Sequence, residues 1–151
     1  LEVVVLFDPT FSYLNQSLSE LKQLRLLVIR DYDLLKSMEQ LKCLRRLKVL
    51  EVSGASSVET ISDDFFEAAS ELQSLNLSGL GIKSLPSSIS QLKCLHSLIL
   101  RDCFLLEDLP DIQHLEKLEV VDVLRGAHKL RTCFEENTSK NRTFSRLQRL
   151  V

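Results

Sequence analysis

Residues 72–110 read LQSLNLSGLGIKSLPSSISQLKCLHSLILRDCFLLEDLP and contain one pattern twice. The pattern is L-x-x-L-x-L, and its two copies are Leu72-Leu75-Leu77 and Leu95-Leu98-Leu100. Alternate residues of a β-strand point to the same side of a sheet, so the last two leucines of each copy share one side. Each copy therefore predicts a short strand with one apolar side, followed by a segment that returns the chain beside its start.

The same pattern recurs along the whole chain, with Val or Ile replacing some leucines. The predicted repeats start at residues 1, 24, 47, 72, 95, 118 and 147. A period of this length identifies a leucine-rich repeat, in which each repeat covers the apolar side of its neighbour. We therefore predict an α/β solenoid over residues 1–151, with a concave parallel β-sheet and short helical or irregular return segments. Because residue 1 is leucine and both ends cut through a repeat, we expect a fragment of a longer polypeptide.

Two repeats are longer than the others. In the third repeat, Asp63 or Asp64 is suited to cap a short helix over residues 64–71. In the sixth, a polar segment at residues 126–142 predicts a loop that bulges from the solenoid. Loops of this kind carry function in some proteins, but a tolerated insertion is the simpler interpretation.

The charge balance argues against nucleic-acid and membrane partners. The chain has 19 basic and 21 acidic residues, a net charge of -2, and no long run of like charges. This balance supplies no overall basic field for a polynucleotide or an anionic membrane. No apolar run reaches the roughly 18 residues that suggest a membrane-spanning helix, and the opening LEVVVLF lacks the basic leader of a signal peptide. We predict no nucleic-acid partner and no membrane association.

Residue types that perform catalysis or bind metals are present, but without a useful spacing. Cys43, Cys94, Cys103 and Cys133 form no C-x-x-C pair, and repeat position explains the first three. His96 could approach Cys94 and Cys103 to form a thiol or metal site, but reduced structural thiols are favoured. We therefore predict no enzymatic activity, no cofactor and no metal.

Side chains between the leucines should point outward from the sheet, where a partner can reach them. The apolar ones in the first three repeats form one group: Val3, Val5, Phe7, Leu26, Val28 and Val49. Apolar groups of this size usually mark an interface. A tolerated surface, cover by the rest of the polypeptide, or a facing error of one residue would also account for them. The other predicted protein-binding residues lie in the same columns: Arg30, Glu51, Asn76, Ile99, Arg101 and Asp122.

Residues 72–110 and the segment LKVLEVSGASSVETI at 47–61 resemble leucine-rich repeats of plant intracellular immune receptors of the nucleotide-binding type. The resemblance rests on the irregular period, the Leu-Pro pairs at 85–86 and 109–110, and the L-x-L-x-D-C run at 98–103. It implies ligand-sensing or autoinhibitory repeats in the cytoplasm or nucleus. The implied partner is a protein: a pathogen effector, a host protein or another domain of the same chain.

The chain departs from this family in two respects. The position after the strand, which often holds Cys or Asn, does so only at Cys103. No phosphate-binding G-x-x-x-x-G-K-[ST] motif is present, so nucleotide binding is not assigned to these residues.

Two other functional classes stay open. A substrate-recruiting adaptor of the ubiquitin-ligase type would carry an F-box beside the repeats, and an extracellular receptor ectodomain would carry a signal peptide and a transmembrane helix. All four asparagines, Asn15, Asn76, Asn137 and Asn141, begin an N-x-[ST] sequon, which favours secretion. Against secretion, a glycan on Asn76 would obstruct the predicted sheet, and the cysteines show no pairing pattern.

Overall fold

The computed structural model describes residues 1–11, 18 and 20–125. In this part of the chain, the strands are β1 (Val3–Phe7), β2 (Leu26–Arg30), β3 (Val49–Ser53), β4 (Ser74–Asn76), β5 (Ser97–Ile99) and β6 (Val120–Asp122). They form a six-stranded sheet in chain order, and every neighbouring pair is parallel. Each strand begins two residues after a predicted repeat start. The predicted leucine-rich repeat solenoid is confirmed.

The inward side of the sheet is a continuous apolar core. Leu27 lies opposite Leu50, which lies opposite Leu75, and the same row continues through Leu98 to Val121. All five side chains are almost completely buried. Consecutive repeats therefore cover one another's leucines, as the period requires.

The return segments are short and mostly irregular. Among the described residues, 3-10 helices cover Glu39–Cys43 in the second repeat and Ser87–Gln91 in the fourth. Their inward side chains, Leu41 and Ile89, complete the side of the core that faces away from the sheet.

The return segment of the third repeat differs from the prediction. The helix expected over residues 64–71, capped by Asp63 or Asp64, is wrong: residues 63–68 form consecutive turns. Asp63 caps no helix in its own repeat; its Oδ1 accepts a hydrogen bond at 3.3 Å from the N–H of Ser87, the first residue of the 3-10 helix in the next repeat.

Other polar groups of this segment also bond to neighbouring repeats. The Asp64 carboxylate accepts a hydrogen bond from Lys42 Nζ at 2.7 Å, in the preceding repeat. The Phe66 N–H donates to the Oγ of buried Ser88 at 3.0 Å, in the following one. The longer third repeat therefore joins the second repeat to the fourth.

A residue in the left-handed backbone conformation follows each strand, one residue after the end of β1, β2 and β3 and three residues after the end of β4, β5 and β6. These residues are Asp8, Asp31, Gly54, Gly79, Asp102 and Arg125. They share one place in the repeat, and the N–H of each of the first five donates to a carbonyl of the next repeat at 2.8 to 3.2 Å. Gly adopts this conformation without steric cost, and Asp tolerates it better than most residues do.

The position that often holds Cys or Asn in related repeats is filled here mainly by apolar side chains. Tyr32, Ala55, Leu80 and Cys103 are all buried at this position. The Cys103 thiol donates to the Leu77 carbonyl at 3.1 Å. Burial raises the pKa of that thiol and of the Tyr32 phenol. The turns therefore stack mainly through apolar packing.

The predicted loop at residues 126–142 and the repeat that starts at residue 147 lie outside the described residues. Within the described part, no helix has both the length and the apolar character needed to cross a bilayer.

Candidate protein-binding surface

The structure places the predicted protein-binding residues on the outward side of the sheet, in aligned columns. In one column, Val3 lies opposite Leu26, and Leu26 lies opposite Val49. In the next, Val5 pairs with Val28. The facing follows the predicted alternation, since the residues between them along each strand point into the core. Whether these residues bind a protein stays a prediction.

The apolar patch consists of Val3, Val5, Phe7, Leu26, Val28 and Val49. The three residues on β1 are the most open, with exposed fractions of 53% for Val3, 44% for Val5 and 63% for Phe7. The members on β2 and β3 are half-buried by their neighbours in the sheet. The register makes the six residues contiguous across three strands, so they present one surface and are not scattered apolar side chains.

Arg30 lies at one edge of the apolar patch and contacts side chains on both neighbouring strands. Its guanidinium lies over the Phe7 ring, 5.6 Å from the centroid, which is within range for a cation–π contact. Its Nε donates to Glu51 Oε1 at 2.5 Å and its Nη2 donates to Glu51 Oε2 at 3.1 Å. These bonds raise the pKa of Arg30. The side chain therefore links all three strands of the patch.

The same arrangement recurs at the other end of the sheet. Arg101 Nε donates to Asp122 Oδ2 at 2.6 Å, and Asp122 Oδ1 accepts the Leu124 N–H at 3.0 Å. Partial burial of Asp122 raises its pKa, but these two hydrogen bonds and the charge of Arg101 together outweigh that effect and leave the pKa below its usual value. The arginine stands one repeat before its acidic partner, as Arg30 does before Glu51.

Asn76 and Ile99 occupy the column between these two ion pairs. Asn76 Oδ1 accepts hydrogen bonds from Ser78 N–H at 3.0 Å and from Ser78 Oγ at 2.6 Å. Asn76 is half-buried, and its carbonyl oxygen is bound to the serine of its own sequon. Ile99 is half-buried between Asn76 and Asp122. The predicted polar residues thus have hydrogen-bond partners on this side of the sheet, while the apolar residues are partly to largely accessible.

One group of exposed apolar side chains was not predicted as a site. Phe104, Leu105 and Leu124 are exposed by 72%, 54% and 42% on the fifth and sixth repeats. The sequence signal was the run of three apolar residues FLL at 104–106. The structure buries only the last of them, Leu106.

The cysteines do not form a chemical site in the described residues. Cys43 is exposed, Cys94 is half-buried and Cys103 is buried, and all three are free thiols. His96 Nδ1 lies 2.7 Å from the Cys94 carbonyl oxygen, not from a thiol. In this part of the chain, no three His, Cys, Asp or Glu residues are grouped so that they could hold a metal ion.

Two Arabidopsis thaliana proteins match this chain over 99% of its length. The one named as disease resistance protein At4g19050 is 54% identical over 157 residues. The one named as disease resistance protein At5g45510 is 57% identical over 157 residues. The chain spans 13% of the length of each of these relatives.

Among solved structures, the functional domain of InlJ from Listeria monocytogenes, which includes a cysteine ladder, matches with a TM-score of 0.61. It is 24% identical, and the match covers 72% of this chain and 22% of that one. At this identity the match shows the fold alone. No protein-family model matches the chain. The chain is therefore a leucine-rich repeat domain, homologous along almost its whole length to a segment of plant disease resistance proteins.

Proposed function

We propose that this domain is a protein-interaction module of a plant defence receptor, and that the apolar patch is its contact surface. The contiguity of apolar side chains across the outward side of β1, β2 and β3 is the observation that carries the proposal. Full burial of an exposed side chain of this kind contributes roughly 1.5 to 3 kcal/mol. Val3, Val5 and Phe7 are already about half covered, so it is the patch as a whole that has enough apolar area to anchor a partner. Interfaces usually contain a small apolar centre with a polar rim.

One ion pair lies beside the patch and suits the rim of such an interface, and a second lies further along the sheet. Arg30 and Glu51 already neutralise each other, so a partner need not supply a charge to either of them. Arg101 and Asp122 form an equivalent pair three repeats further on. These fixed pairs favour a partner of defined shape, and disfavour one that would have to separate them.

The proposed role within the receptor is ligand-sensing or autoinhibitory. The relatives are far longer than this chain, so the partner surface is either a separate protein or another part of the same polypeptide. We place the module in the cytoplasm or the nucleus. The free thiols of Cys43, Cys94 and Cys103 support that location, and so does the place of half-buried Asn76 on the outward side of β4, where a glycan would obstruct the sheet.

The test uses the full-length protein expressed in leaves, with cell death scored without a pathogen and after challenge. Leu26→Asp and Val28→Asp place a charge in the patch, and Ser97→Asp places one at the register position of Leu26 on β5. An autoinhibitory contact predicts spontaneous cell death for the two patch variants. A ligand contact predicts a lost response to challenge without spontaneous death. If both patch variants behave as Ser97→Asp does, at equal protein abundance, the proposal is wrong.

A further inference from the structure

Positive charge is concentrated in one part of the chain. The segment 22–48 contains eight basic and three acidic residues, a net charge of +5, although the whole chain carries -2. Five of these basic residues lie just before β2 and β3, at the amino-terminal edge of the sheet, and form the basic strip: Lys22, Arg25, Arg45, Arg46 and Lys48. All except half-buried Lys48 are exposed.

Backbone and side-chain hydrogen bonds hold the strip together. The Arg25 N–H donates to the Glu2 carbonyl at 2.8 Å, and the Lys48 N–H donates to the Arg25 carbonyl at 2.8 Å. Arg46 Nη1 donates to Gln23 Oε1 at 2.8 Å, one repeat away. The strip therefore spans the first three repeats, and the solenoid itself stacks its residues on one another.

The positive charge of the strip is largely uncompensated. Arg25 has one loose ion pair, with Glu2 at 3.8 Å. No described carboxylate pairs with Lys22, Arg45, Arg46 or Lys48. Elsewhere in this part of the chain, acidic partners hold Arg30, Lys42, Arg101 and Arg125.

The basic strip borders the apolar patch directly. Arg25 is followed by Leu26, and Lys48 is followed by Val49. The side chains of Leu26 and Val49 lie opposite each other on the outward side of the sheet. A molecule that covers these two apolar side chains thus meets the strip along their amino-terminal edge.

We propose that the apolar patch and the basic strip together bind an acidic polypeptide segment that also carries apolar side chains. This inference rests on the proposed function and names the chemistry of the partner. Carboxylates would pair with the unpaired cations of the strip, while apolar side chains cover Leu26, Val49 and their neighbours. Complementary charge of this kind steers the encounter, and the apolar centre holds the complex.

A nucleic acid suits this surface less well. A phosphate backbone could contact the strip, but phosphates provide nothing to cover the valines of the patch. In a polypeptide, acidic residues can be confined to the part that contacts the strip, and apolar residues can follow where the patch begins.

The experiment uses purified full-length protein and a labelled synthetic peptide in which glutamate alternates with leucine. Binding is measured by fluorescence anisotropy at increasing salt. The double variant Arg45→Glu and Arg46→Glu reverses part of the strip. The matched control reverses Lys93 and Lys117 to Glu. These lysines hold the corresponding positions, two residues and one residue before a repeat start, outside the strip. Equal unfolding midpoints verify that each variant is folded.

The wild type should bind the glutamate–leucine peptide and should lose affinity as salt is raised, because salt screens exposed charges. The strip variant should bind about tenfold more weakly, while the control stays within about twofold of the wild type. Equal binding of a lysine–leucine peptide, equal binding of polyglutamate, or tighter binding of single-stranded oligothymidine would overturn the proposal.

A segment of the same polypeptide could already occupy the site and exclude the peptide. A zero-length carbodiimide, which joins lysine amines to carboxylates in contact, then replaces the peptide measurement. It should join Lys22 or Lys48 to an acidic segment elsewhere in the full-length chain. If neither peptide binding nor such a cross-link is observed, the inference is wrong. If Leu26→Asp alters cell death but the strip variant does not, the proposed function stands and only the acidic partner is wrong.

Discussion

Replacing Leu75 by alanine tests the facing of the sheet on which the surface depends. Leu75 lies at the centre of β4, has no exposed area, and is flanked in register by Leu50 and Leu98. Neighbouring repeats cover it on both sides, so the surrounding structure has little freedom to collapse into the space that alanine leaves. Leu→Ala substitutions at such sites cost about 2 to 5 kcal/mol, and we expect a loss of about 3 kcal/mol here.

The matched control is Ser74→Ala, one residue earlier on the same strand. Ser74 points outward and is half-buried, so its loss should change the free energy of unfolding by less than about 0.5 kcal/mol. Both variants can be followed by thermal unfolding with circular dichroism. For a chain of this size, Leu75→Ala should lower the melting temperature by about 6 to 12 °C, and Ser74→Ala should lower it by only about 1 °C. A larger effect of Ser74→Ala would mean that the sheet faces the other way.

Three further outcomes follow from particular contacts. Gly81→Ala should cost about 1 to 3 kcal/mol in an unfolding titration, because an added Cβ would meet the Ser56 carbonyl oxygen at 2.3 Å. Asp122→Asn should lower the free energy of unfolding by about 1 kcal/mol at neutral pH. The folded-state pKa of Asp122 is lowered. Its contribution to stability is therefore present above the unfolded pKa of about 3.9 and disappears as pH falls through the folded pKa. The difference between wild type and this variant, measured by denaturation from neutral to acid pH, should therefore close at low pH, and a constant difference would contradict this assignment. Iodoacetamide should modify exposed Cys43 at neutral pH much faster than Cys103, which is buried with a raised pKa; equal rates by mass spectrometry would show that the turn opens.

Much of the fold could be predicted because L-x-x-L-x-L combines two constraints. Its alternation fixes which side of each strand is buried, and its period fixes which residues of successive strands lie opposite one another. The row from Leu27 to Val121 follows from these constraints alone. So does the contiguity of Val3, Leu26 and Val49.

The contacts between repeats were harder to predict. The helix over residues 64–71 was wrong because Asp63 bonds to the next repeat, a long-range alternative that local capping rules do not include. The Arg30–Glu51 pair depends on a diagonal offset between strands, which is defined only once the register is known. The Asp and Gly residues after the first five strands were visible in the sequence, but their shared conformation becomes clear only when the repeats are stacked.

The matched pair Val49→Asp and Val120→Asp tests most directly the central claim, that the apolar patch is the contact surface. Both valines occupy the same register position, both are half-buried, and only Val49 lies in the apolar patch. The two substitutions in the full-length protein should therefore lower the unfolding midpoint by similar amounts. Only Val49→Asp should change the defence output, through either spontaneous cell death or a lost response to challenge. The same output from both variants, at equal stability and abundance, would contradict the assignment of the patch as the contact surface.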